Sequence, residues 1–258
     1  MDFKLSFSTA ALFPRNSVES LKLVEEAGFH YAELMPQCLE ETKPRFAKEI
    51  KTHVKLKIAS VHFPLVFQPV FYNPYPGMMK EAKNLIDDVT ALAGDLAAEI
   101  IVIHPPYFAD EVVESLFYTP VMDNMRYLCE KASRNGVKVA LENSPKGGRT
   151  VEEMLQMIHA VGHENIFPML DTTEAVESGQ DPVDMLKRLD VIHIHASGHK
   201  GKVKHIPPGE GEFDWMKIIL VLCEKHFSGF FTVEPSYRYF LEKPVEKMKN
   251  VLRFLSGL

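Results

Sequence analysis

Cysteine is scarce in this chain of 258 residues: Cys38, Cys129 and Cys223 form no Cys-x-x-Cys pair and leave one thiol unmatched. That argues against a disulfide framework and points to reduced thiols, as in a cytoplasm. Positive charge is also short, with 29 Lys and Arg against 35 Asp and Glu and a net charge of −6, so no basic footprint for a nucleic-acid backbone is present and nucleic acid is not an expected partner. Long apolar runs are missing too. The longest, Ile218 to Cys223, is far too short to cross a bilayer, and the opening MDFKLSFSTA lacks the basic region and apolar stretch of an export signal. A cytoplasmic protein with no membrane association is expected. No linker, low-complexity run or short repeat interrupts the chain, so residues 1–258 are expected to form one domain.

What is present is a rhythm of short apolar runs alternating with stretches of helical period, which argues for parallel βαβ units. Eight strands are expected: KLSFST, YAELMP, KIASVHFP, EIIVIHPP, KVALENSP, IFPMLDTT, VIHIHASG and GFFTVEPS. Between them lie helices such as SVESLKLVEEAG, with a Ser near the N-cap and a closing Gly, and TVEEMLQMIHAVG, whose Thr-x-x-Glu opening is a capping-box signature. The segment LVFQPVFYNPYPGMM reads as a long ordered loop, placed to act as a lid. Eight such units in one domain predict an α/β fold, a single (β/α)8 barrel, whose reactive residues gather at the C-terminal strand ends.

Those ends are polar: Ser8 or Thr9, Glu33, His62, His104, Glu142, Asp171, His195 and Glu234. In VIHIHASG the period of two puts His193 and His195 on one face, with Ile192 and Ile194 on the other. A lone strand-end His is more often a structural hydrogen bonder, but the whole set is harder to explain that way. Four carboxylates in one partly desolvated mouth repel one another, and no Lys or Arg sits at a strand end. A divalent cation is the simplest neutraliser. Mixed His and carboxylate ligands suit Zn, Mn, Fe or Co, while the absence of a strand-end Cys argues against an all-thiolate structural zinc site.

With these residues in place, the chain resembles the xylose-isomerase-like TIM-barrel superfamily, which contains sugar isomerases, ketose 3-epimerases and endonuclease IV. The marks are Glu142 in ALENSP, Asp171 in MLDTTEA, His195 in HIHASG, GEGEFDW from Gly209 to Trp215, and Glu234 in FTVEP. The epimerase branch implies that Glu142, Asp171, His195 and Glu234 bind one metal. It also implies that Glu142 and Glu234 trade protons with a sugar or sugar phosphate through an enediolate. The endonuclease IV branch adds His62, His104 and His205, a two-metal centre bridged by Glu142 that would hydrolyse a phosphoester. Its third metal position is incomplete here, because Glu174 stands where that pattern has His and Val203 where it has Asp. One to three ions are therefore expected, and Glu174 can still coordinate.

Around this set, Glu33, His193 and Lys204 are candidates for substrate contact, although Lys200, Lys202 and Lys204 read as a solvated charge run just as well. His193 is equally suited to supporting a ligand from below or to filling the barrel. His199 reads as loop, and His30, His53, His159, His163 and His226 as wet helix surface. A small carbohydrate is the expected partner, and the resemblance leaves room for a homo-oligomer. A barrel that binds a sugar without chemistry is the third reading. Intact Glu142 and Glu234 count against it.

Overall fold

The computed structural model describes residues 3–258. Their strands are β1 (Lys4–Ser8), β2 (Tyr31–Leu34), β3 (Lys57–His62), β4 (Ile100–Ile103), β5 (Lys138–Leu141), β6 (Ile166–Pro168), β7 (Leu170–Asp171), β8 (His193–Ala196), β9 (Gly198–Lys200), β10 (Val203–Ile206) and β11 (Phe230–Val233). The helices are α1 (Ser17–Ala27), α2 (Phe46–His53), α3 (Gln68–Phe71), α4 (Pro76–Leu96), α5 (Glu111–Arg134), α6 (Val151–Val161), α7 (Thr172–Glu177), α8 (Pro182–Arg188), α9 (Trp215–Glu224) and α10 (Pro244–Ser256).

Nine strands pair in parallel in the order β6-β5-β4-β3-β2-β1-β11-β8-β7. The two ends of that order are halves of one strand, the sixth of the barrel, interrupted at Met169. β6 pairs with β5 and β7 with β8. The Met169 N–H donates to Leu141 O, and the Ile192 N–H donates to Pro168 O. The sixth strand thus hands over from one neighbour to the other and closes the ring of eight. All eight expected strands are present, and the fold is a (β/α)8 barrel. β9 and β10 form a separate antiparallel hairpin after β8.

Alternation along the strands divides the core. Outward residues such as Ile101, Ile103, Val139, Leu141, Ile194 and Phe231 pack beneath the helices, while Ala59, Ile100, Val102, Ala140, Met169 and Phe230 pack together inside the barrel. At about 25 cal/mol per Å² of apolar surface, this two-sided burial is the main stabilising term. It leaves the C-terminal rim free for polar groups.

The Ser read near the N-cap of α1 is its first residue, Ser17, directly after the cap Asn16, whose side chain accepts from the Glu19 N–H. One expectation needs correction. The segment LVFQPVFYNPYPGMM is not a loop: Leu65–Phe67 form a 3-10 turn, Gln68–Phe71 form α3, and α4 begins at Pro76. Pro69 and Pro76 sit in first turns, where a missing N–H costs nothing, and Pro74 lies in the short link between α3 and α4. Of this segment, Leu65 lines the mouth while the rest packs away from it. Phe71 is fully buried against Phe63 and Tyr72. Among the described residues, no helix is long and apolar enough to cross a membrane.

Candidate metal centre and active site

The C-terminal ends of β3, β5, β7, β8 and β11 deliver His62, Glu142, Asp171, His195 and Glu234 to one place. Ligand atoms of Glu142, Asp171, His195 and Glu234 all lie within 4.8 Å of one another. His195 Nδ1 is the hub, 3.1 Å from Glu142 Oε1 and 2.7 Å from Glu234 Oε2. On the far side of Glu142, its Oε2 faces His104 Nε2 at 3.0 Å and His62 Nε2 at 3.6 Å. The sequence reading named all six.

Three of these side chains are oriented by a further contact. Ser8 donates its hydroxyl to Glu234 Oε1 at 2.9 Å. Asp171 caps α7, accepting from the Glu174 N–H at 2.7 Å, and its backbone is held on both sides by the Asn143 amide at 2.7 and 3.1 Å. That pair of bonds replaces the ladder where the broken sixth strand has left β5. His62 Nδ1 donates to Phe63 O at 2.8 Å, so its Nε2 turns inward as an acceptor. Ser60, Asn143 and Ser197 escaped the sequence reading. Ser60 had a signal, since it lies two residues before His62 on the same face of β3, whereas nothing in the sequence marks Asn143.

His205, on β10, and Glu174, on α7, form the polar wall, with His205 Nε2 3.4 Å from Glu174 Oε1. His205 Nδ1 bonds Ser197 Oγ at 3.1 Å, and Ser197 Oγ in turn meets Thr173 Oγ1. Its backbone has φ of +50°, a left-handed conformation rare for a non-glycine residue, and its carbonyl accepts from the Ser236 N–H. Val203, at the position where no ligand was expected, is exposed. The motif after the hairpin is sterically required: a Cβ at Gly211 would stand 2.8 Å from His199 O.

Three expected substrate contacts lie elsewhere. Glu33 and His193 are fully buried, one side-chain layer below the mouth: His193 precedes His195 by two residues on β8, and the barrel's stagger sets β2 deeper than β5 and β11. Glu33 Oε2 accepts from Ser60 Oγ at 2.8 Å, from His193 Nε2 at 3.1 Å and from His195 Nε2 at 3.2 Å. Lys204 is taken up by an ion pair with Glu177. The mouth itself has a volume of about 290 Å³ and is lined by Ala10, Met35, His62, Leu65, His104, Glu142, Asp171, Glu174, His205, Glu234, Pro235, Ser236 and Tyr237. No Lys or Arg is among these residues. A larger cavity of about 870 Å³, bordered by Asn135, Lys138, Phe167 and Lys225, opens at the opposite end of the barrel, away from every residue of the cluster.

Electrostatics follow from crowding. Burial pushes Glu142 up, but His104 and His195 outweigh it and hold this carboxyl well below its usual range. Burial opposes a charge on His195, yet Glu234, Glu33 and Glu142 raise it well above an ordinary imidazole. Burial drives Asp171 up to about 7, against the pull of His205 and with Glu142 adding to the rise. Partial burial opposes a charge on His205, but Glu174 and Asp171 outweigh it and raise this imidazole to about 9.

The donor set fits a divalent cation. Glu33 is an acceptor, so it commits His195 Nε2 as the donor, and the Nδ1 lone pair then faces two carboxylate oxygens. Only a proton or a metal ion reconciles them. His62 Nε2 is buried with no hydrogen-bond partner, and Glu142 Oε2 meets only the imidazoles of His104 and His62, an arrangement that a cation would complete.

A family model for the xylose isomerase-like TIM barrel matches residues 21–258. Inosose dehydratase of Clostridium botulinum (strain Alaska E43 / Type E3) is 23% identical over 145 residues, which is 48% of this chain and 49% of that protein. The chain spans about half the length of the curated relatives it matches. Among solved structures, a D-tagatose 3-epimerase-like protein superposes with a TM-score of 0.79 at 22% identity, covering 99% of this chain and 98% of its own. The IOLI protein with a binding zinc atom gives 0.76 at 20% identity, covering 99% and 97%. At these identities the structural likeness is one of fold.

Proposed function

The chain belongs to the xylose isomerase-like TIM barrel family, and from that membership we propose that it is a divalent-metal-dependent isomerase or epimerase of a small sugar. The observation that carries this reading is the convergence of two carboxylates from non-adjacent strands, Glu142 and Glu234, on the single atom His195 Nδ1 at the floor of an open mouth. A carbon seated there is flanked by two acid/base groups.

Glu142, Asp171, His195 and Glu234 would hold the ion, whose contribution is to neutralise negative charge developing on substrate oxygen. One glutamate removes the proton from the carbon beside the carbonyl, and the electron pair passes onto the carbonyl oxygen as an enediolate. The other returns a proton to carbon. Glu142, kept ionised by its histidine neighbours, is ready as a base. Glu174 and His205 offer hydrogen bonds to hydroxyls on one side, while Met35, Leu65 and Tyr237 present an apolar wall on the other. With a volume of about 290 Å³ and no Lys or Arg in its lining, the mouth favours an uncharged monosaccharide over its phosphate.

The likeness to inosose dehydratase supports a variant of the same first step, in which proton removal is followed by loss of a neighbouring hydroxyl. A two-ion phosphoester hydrolase is the second reading, favoured by His62 and His104 gathered on Glu142 Oε2. The deciding experiment incubates the Mn2+- or Zn2+-loaded protein with a panel of ketoses in D2O and follows the substrate by NMR. Deuterium entering carbon beside the carbonyl, with an epimer, aldose or dehydrated product, supports proton-transfer chemistry. No exchange from any ketose, together with cleavage of a phosphodiester, would transfer the site to the second reading.

A further inference from the structure

Glu33 takes no part in the proton transfers, yet three side chains converge on its carboxylate. It is fully buried, and Ser60, His193 and His195 all direct donors at its Oε2, while Oε1 has no hydrogen-bond partner. A carboxylate serving only to satisfy the core would have both oxygens paired, because an orphaned buried oxygen costs free energy. The asymmetry instead gathers three donors on one oxygen, and one of them, His195 Nε2, is the rear nitrogen of the imidazole whose front nitrogen is the hub of the cluster.

We propose that Glu33 is a positioning residue for His195: it holds Nε2 as the donor and the ring plane fixed, so that the Nδ1 lone pair is presented to the cation shared with Glu142, Asp171 and Glu234. Ser60 and His193 act through Glu33, pinning its Oε2 from two further directions. A carboxylate behind a ligating imidazole also makes the ring a stronger ligand, and loss of such a group typically weakens metal binding 10–100-fold. The inference rests on the metal-dependent reading above and adds a residue that never touches ion or substrate.

The test measures Zn2+ affinity by competition with a chromophoric chelator for the wild-type protein, Glu33→Gln, Ser60→Ala, His195→Ala, and the two variants each combined with His195→Ala. Glu33→Gln should weaken Zn2+ about 10–100-fold and Ser60→Ala less, while neither changes affinity further once His195 is gone. In the Co2+-loaded protein the visible ligand-field band should shift in Glu33→Gln, a signature indifferent to overall stability. Wild-type affinity in Glu33→Gln, or an unchanged loss in the His195→Ala background, would overturn the proposal. Should Glu33→Gln fail to fold, the Ser60→Ala pair decides by the same comparison. A wild-type protein that binds no divalent ion sinks the metal reading itself, whereas a metal-binding wild type with indifferent variants sinks only the role of Glu33.

Discussion

Ser8, at the end of the first barrel strand, donates its hydroxyl to Glu234 Oε1, at the end of the last, across a 2.9 Å hydrogen bond. The bond crosses the seam where the chain's two ends meet, since β1 pairs directly with β11. It leaves Glu234 Oε2 turned toward His195. A hydrogen bond to a carboxylate contributes about 1.5–3 kcal/mol. Ser8→Ala should therefore lower kcat on the order of tenfold while Zn2+ affinity changes much less. A variant with wild-type turnover would show that the carboxylate needs no such guide.

Glu234→Gln keeps the shape of the side chain and removes its ability to take up a proton. Folding, read by the thermal midpoint of the metal-free protein, should stay near wild type because Glu234 lies at the open mouth. Solvent exchange at the substrate carbon should vanish. Persistent exchange would take Glu234 out of the chemistry and leave Glu142 acting alone.

His62→Ala combined with His104→Ala strips Glu142 Oε2 of both imidazoles. If the protein works with one ion, bound metal should remain at about one per chain and proton transfer should survive at reduced rate. A fall from two ions to one, with complete loss of activity, is the outcome that the hydrolase reading requires. Elemental analysis beside a rate measurement separates them.

Metal affinity should depend on pH with a change of slope near 7. Asp171 is raised to about 7, so below that pH the metal-free protein carries a proton that an incoming ion must displace. Above it this carboxylate is already ionised and releases nothing. His195, raised well above the ordinary range, gives up a proton throughout. Log affinity should thus rise by roughly two per pH unit below 7 and by roughly one above it, in the limit of one proton per group. A single slope across pH 5.5–8.5 in a chelator competition would place Asp171 in an ordinary environment.

Gly211→Ala forces a methyl group against His199 O, where only 2.8 Å is available. The clash is with backbone, so the turn must shift, at a cost of about 1–3 kcal/mol. The thermal midpoint should fall by several degrees. Because Glu212 N–H also bonds His199 O, the hairpin carrying His205 should move with it. A variant as stable as wild type would show slack in this connection.

Much of this molecule could be read from local pattern. Apolar bodies ending in polar residues located all eight barrel strands, and the period of two put His193 and His195 on one interior face before any contact was known. The Thr150 cap of α6 and the Gly28 stop of α1 were equally visible. Prolines misled where they begin helices, as Pro69 and Pro76 do, since the same residue breaks a helix interior and suits a first turn.

Sequence by itself determined which chemical groups this barrel carries to its rim, because alternation and strand direction are properties of a few neighbouring residues. Only the tertiary structure decided their depth and pairing. The stagger of the barrel sank Glu33 beneath His195, the break at Met169 gave Asp171 to Asn143, and a left-handed residue in a hairpin turned His205 into the mouth while Lys204 went to Glu177. Such choices depend on register, closure and long-range contacts. They are energies of the assembled whole that no short segment contains.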